Sequence, residues 1–290
     1  MCDNDSMDDM MYPLKSGELS RRQFGALTLG AGVLSFLPPI AGAAEVKNSE
    51  VEIKTPDGTC DAYFVHPASG AHPAVLIWPD IFGLRPAFRG MGKRLAESGY
   101  SVLVVNPFYR AKKAPTAPEK ADFQDPATRS ALFALAGALT AETNVTDAKA
   151  FVAWLDGQAP VDKKRKMATT GYCMGGPITM RTAAALPDRI GAGASFHGGN
   201  LVTDKPDSPH LLVPKMKAQY LFAIAKNDDE RQPDAKNVLR DTFDKAKLPA
   251  EIEVYPAQHG WCPPDGQVYD QEQAEKAWSR MLALFKTALA

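Results

Sequence analysis

From Glu50 onward the chain alternates between short β-branched apolar runs and longer amphipathic or Ala-rich segments. Residues 51–55 and 61–66 predict two edge strands around the turn signal Pro56-Asp57-Gly58. Residues 73–78 and 101–106 are almost continuously apolar, the pattern of strands buried on both faces of a parallel sheet. Between them, 87–98 reads as a crossover helix that stops at Gly99. The rhythm continues with helices over 145–155, 178–186, 234–245 and 270–289, and strands over 166–172, 191–196, 219–225 and 251–255. Strand and helix in strict alternation predict an α/β fold, a mostly parallel central sheet with helices on both faces.

Two stretches break this pattern. Residues 111–143 include a helical pattern over 129–139 and are too long for a simple connection. They follow the carboxyl end of the 101–106 strand, where open α/β sheets bind ligands. Two readings stand: an insertion, or lid, over a site, and a surface excursion without function. The second stretch is residues 1–44. Ser20-Arg21-Arg22-Gln23-Phe24 opens an almost uncharged, Gly- and Ala-rich run to Ile40 that is too short to span a bilayer comfortably and ends in Ala41-Gly42-Ala43-Ala44. The pattern resembles a twin-arginine export signal, so the expectation is an exported, periplasmic protein handled by the export machinery, with a single domain over 45–290.

Composition narrows the classes. The chain has 33 basic and 34 acidic residues and a formal net charge of −1. That balance argues against nucleic acid as a partner, and the mature chain carries no expectation of stable membrane insertion. Only four Cys are present, without paired zinc spacing, and Cys2 leaves with the signal. Cys60, Cys173 and Cys262 remain. No P-loop, dinucleotide or zinc-protease motif occurs, so no cofactor or metal is expected.

The candidate chemistry lies in Gly171-Tyr172-Cys173-Met174-Gly175, bracketed by a strand and a helix. This is the form Gly-x-nucleophile-x-Gly, in which a strained turn lifts the central side chain above the sheet. A buried structural cysteine is the bland reading of the same residue. A nucleophile needs a base, and His259 stands in a loop after the last strand, with His197 as its competitor. The 219–225 strand ends in Lys226-Asn227-Asp228-Asp229, which offers Asp228 or, alternatively, Asp229 as the acid.

From about Val51 to the C terminus the sequence resembles the dienelactone hydrolase family of α/β-hydrolases. The resemblance rests on Asp80-Ile81-Phe82-Gly83, Asn106-Pro107-Phe108-Tyr109-Arg110, the Cys173 segment, the Asp228 turn and the His259 loop. It implies an α/β-hydrolase fold and a carboxylic-ester or lactone hydrolase of the carboxymethylenebutenolidase kind, acting on a small-molecule substrate. It also implies Cys173 as nucleophile, His259 as base and acid, Asp228 as its orienting partner, and the backbone N–H groups of Met174 and Ile81 as the oxyanion hole. Two departures accompany it. Asp80 occupies the place of a family Glu that modulates the thiol, and one methylene is missing. Of the two family arginines that hold a substrate carboxylate, Arg110 stands near one position, whereas Trp261 and Asp265 occupy the region of the other. Those departures motivate a binding protein without catalysis as an alternative, and the odd cysteine count motivates a redox protein using Cys173 and Cys262.

Overall fold

Every residue of Ala74–Trp78 and Ser101–Val105 is buried in the computed structural model, which describes residues 37–40, 42–119 and 121–290. The expected export signal therefore falls largely outside the described residues. Burial on both sides is what continuous apolar runs require, and these two strands pair in parallel at the centre of an eight-stranded sheet. In chain order the strands are β1 (Val46–Thr55), β2 (Gly58–Pro67), β3 (Ala74–Trp78), β4 (Ser101–Val105), β5 (Met167–Tyr172), β6 (Ile190–Phe196), β7 (Gln219–Ala225) and β8 (Ala250–Tyr255). Their spatial order is β1-β2-β4-β3-β5-β6-β7-β8. Only β1–β2 and β2–β4 pair antiparallel.

The expectation of two edge strands needs correction, because β2 lies between β1 and β4, and of this pair β1 alone is at the rim. The turn signal does join an antiparallel hairpin, but its second arm is an interior strand of the sheet. Phe64 and Val65 of β2 contribute to opposite cores.

Alternation along the strands divides the interior. Leu76, Trp78, Leu103 and Val105 face one cluster. There they meet helices α3 (Ala141–Asp156), α4 (Gly175–Ala185) and α6 (Ala235–Ala246). Val75, Ile77, Val102 and Val104 face the other, under α1 (Pro86–Glu97) and α7 (Gln271–Ala288). The remaining helices are α2 (Pro126–Ala136) and the six-residue α5 (Lys226–Arg231), with a 3-10 helix over Pro209–Lys215. The turn after β7 is thus helical, which the polar run Lys226-Asn227-Asp228-Asp229 did not announce.

The β5–α4 junction sets the site. Cys173 adopts φ +53°, the left-handed region that a non-glycine residue enters only when its surroundings enforce it. The enforcement is visible at its neighbours. A Cβ on Gly171 would lie 2.1 Å from the carbonyl oxygen of Gly175, and one on Gly175 would lie 2.3 Å from that of Trp78. Gly171→Ala is therefore expected to cost about 3 kcal/mol, the upper end of overpacking effects, because backbone cannot yield as a side chain would. Urea unfolding midpoints check this, and an unchanged midpoint would refute the close-approach account.

Candidate active site

Three loops at the carboxyl end of the sheet converge. The turn after β5 carries Cys173, the helix after β7 carries Asp228, and the loop after β8 carries His259. His259 is held at two points: its backbone N–H donates to Asn227 Oδ1 at 2.8 Å, and its Nδ1 lies 2.7 Å from Asp228 Oδ2. Asp228 is in turn fixed by Arg231, whose Nη2 donates to Oδ1 at 2.8 Å. Asp229 is occupied elsewhere, accepting from Lys236 at 2.6 and 2.7 Å. The choice left open between the two aspartates is decided for contact with His259: Asp228 makes it.

Burial alone would lower the affinity of His259 for a proton. The Asp228 carboxylate and the Cys173 sulfur outweigh it, and the imidazole holds its proton well above the usual 6.5. Cys173 and His259 border one cavity of about 130 Å³, together with Met174 and Ile81. A thiol, an imidazole held by a carboxylate and the start of a helix around one cavity can perform nucleophilic acyl transfer.

The competitor His197 is close by but differently placed. It is fully buried, and its ring meets those of His259 and Trp261 edge-on, each at 5.1 Å between centroids. Neither ring nitrogen has a hydrogen-bond partner among the described residues. Burial first, and the neighbouring His259 charge second, hold it neutral well below 6.5. The unfolded chain then binds a proton that the folded one refuses, so stability falls as pH drops from 6.5 toward the depressed folded value. His197→Phe should lose less melting temperature than wild type between about pH 7 and 5. Equal losses would exclude His197 as the source.

Other residues singled out in the sequence lie elsewhere. Arg110 is not brought to the cavity. Its guanidinium binds the fully buried Asp147 at 2.7 and 2.8 Å and Asp57 at 2.5 and 3.1 Å. Trp261 is completely buried, stacked on Tyr255 at 5.4 Å, and serves as a wall behind His197. Asp80 is gripped at 2.6 and 2.9 Å by Arg85, which also binds Asp265 at 2.7 and 3.0 Å. Residues 111–143 do form a wall of the cavity, through Phe123, Phe133, Ala136 and Leu139.

The profile of the dienelactone hydrolase family matches residues 60–289. The chain belongs to the dienelactone hydrolase family. That membership makes it a hydrolase of the carboxylic-ester and lactone class. Carboxymethylenebutenolidase 1 of Cupriavidus pinatubonensis is 25% identical over 228 residues, which cover 78% of this chain and 91% of that protein. Among solved structures, a dienelactone hydrolase-like promiscuous phosphotriesterase from metagenomic libraries has a TM-score of 0.69 at 22% identity, covering 86% of this chain and all of the other. Dienelactone hydrolase from Anabaena variabilis has a TM-score of 0.57 at 16% identity, covering 84% and 99%.

Within this family member, sequence reasoning missed Asn227, Arg231 and Arg85. Asn227 and Arg231 flank the acidic pair within the same short helix, so proximity to Asp228 was available as a hint. Arg85 bridges to a partner 180 residues away, for which no local pattern exists. The redox alternative loses ground physically. Cys173 packs against the core under α3, α4 and α6, Cys262 belongs to the opposite core, and the three described cysteines are unbonded. Burial pushes the thiols of Cys60 and Cys262 upward, which makes them poor thiolates.

Proposed function

We propose that this hydrolase cleaves esters or lactones with Cys173 as nucleophile, His259 as base and acid, and Asp228 as the residue orienting His259. The observation that carries the reading is the Asp228–His259 contact beside a cysteine on a left-handed strand-to-helix turn. Thiolate attack forms a carbon–sulfur bond and a tetrahedral oxyanion, which the Met174 and Ile81 backbone N–H groups would stabilise. Collapse expels the alcohol, protonated by His259 Nε2, and leaves a thioester on Cys173. His259 then takes a proton from water, the resulting hydroxide attacks the thioester, and the acid departs as the thiol is restored.

Rapid mixing with p-nitrophenyl acetate, followed by intact-mass and peptide analysis, is expected to find an acetyl group on Cys173. Turnover without any adduct on that residue would sink the mechanism. The proposal includes export: the protein recovered from the periplasm should begin at Ala44 or Glu45, and a full-length cytoplasmic chain would count against it.

A further inference from the structure

The groups that could recognise a negatively charged substrate are already engaged. Arg110 is bound by Asp57 and Asp147, and Arg85 is held between two carboxylates. The two long cations that border the cavity, Arg181 and Lys205, are engaged as well, Arg181 by the Asp207 carbonyl and carboxylate at 3.4 and 3.9 Å. Much of the cavity wall is apolar, with Phe123 and Phe133 edge-on at 5.5 Å.

One polar group in that wall lacks a partner. Asn144, on the first turns of α3, borders the cavity at 2% exposure, and its amide oxygen accepts no hydrogen bond among the described residues. A buried carbonyl oxygen without a donor is destabilising, and leucine at this place would pack without that cost. The χ2 torsion of asparagine is broad and roughly two-fold, so the amide can reorient without moving the helix. The amide oxygen, the atom left without a partner, takes a donor such as a hydroxyl and gives nothing to a carboxylate.

Resting on the hydrolase reading above, we propose that Asn144 is a specificity-determining residue, and that the substrate is an uncharged apolar ester or lactone bearing a hydroxyl that donates to the Asn144 amide oxygen. A site built to hydrogen-bond a hydroxyl discriminates strongly against the analogue without it, since the protein group is then left unpaired.

The test uses p-nitrophenyl esters of matched chain length: hexanoate, 3-hydroxyhexanoate, 6-hydroxyhexanoate and the adipate half-ester. Wild type should prefer one hydroxylated ester over hexanoate by about tenfold or more in kcat/KM. Asn144→Leu should erase that preference, bringing the hydroxylated ester and hexanoate to within about twofold of each other, and melt no lower than wild type. Should the Leu variant fail to fold, Asn144→Ala, which only deletes atoms, gives the same comparison. Fastest turnover of the adipate half-ester, or an unchanged preference in the variant, would overturn the assignment. A lower melting temperature with the preference intact would show a structural role only and overturn it too. If wild type turns over none of the four esters, the hydrolase reading itself has failed.

Discussion

Cys173→Ala is expected to stay folded and to lose at least about 10⁴-fold in kcat/KM on p-nitrophenyl acetate. Removing the sulfur deletes the proposed nucleophile, and the residual rate would come from binding and oxyanion stabilisation. The side chain is partly buried and packs at the edge of the core rather than filling it, so truncation leaves no large void. A melting temperature close to wild type distinguishes lost chemistry from lost structure. His259→Ala should lose a similar factor, and the double variant little more, because the two act as one unit. Comparable activity in wild type and Cys173→Ala would remove the cysteine mechanism.

Asp228→Asn is expected to lower kcat by about 10³- to 10⁴-fold while leaving KM nearly unchanged. The amide keeps the shape and can still meet His259 Nδ1, but it supplies no charge to the imidazolium and can present the wrong hydrogen-bonding group. Its signature lies in pH. The folded His259 holds its proton well above 6.5, so the stabilisation from that proton is complete below about pH 6.5 and is lost as pH rises through the folded value. Neutralising Asp228 lowers the folded value. The alkaline limb of kcat, where His259 ceases to protonate the leaving group, should move to lower pH, and the extra stability of wild type on the acid side should shrink. Rate profiles and melting curves over about pH 6 to 10 test both signs. A limb that stays in place would mean that Asp228 does not set the protonation of His259.

Much of the architecture was readable locally. The runs Ala74–Trp78 and Ser101–Val105 are buried at every position, so their lack of alternation was itself the clue to a central parallel pair. The glycines flanking Cys173 were legible for a steric reason, as each faces a carbonyl oxygen that excludes a Cβ. Most strand boundaries fell within three residues of the observed ones, but β1 begins at Val46 rather than at 51, and β2 was assigned to an edge. Periodicity reports which face of a strand is buried but not which neighbours it acquires.

Side-chain roles were less legible where they depended on charge partners distant in the chain. Arg110 looked available because nothing near it in sequence announces Asp147, which reaches it from α3. Nothing near Asp80 in the sequence announces that Arg85 binds it and ties it to Asp265. Asn144 drew no attention because a polar residue in a helix is unremarkable until its oxygen is found buried without a donor.

The sequence by itself determined the layered α/β plan, the glycine-flanked turn that carries Cys173 and the order of Cys173, Asp228 and His259, because period, turn sterics and loop order are local properties. Tertiary structure alone decided which aspartate meets His259, that Arg110 is consumed by carboxylates, and that the 111–143 segment walls the cavity. Those outcomes depend on distance and burial between residues far apart in the chain, and electrostatic pairing and desolvation act through space rather than along the backbone.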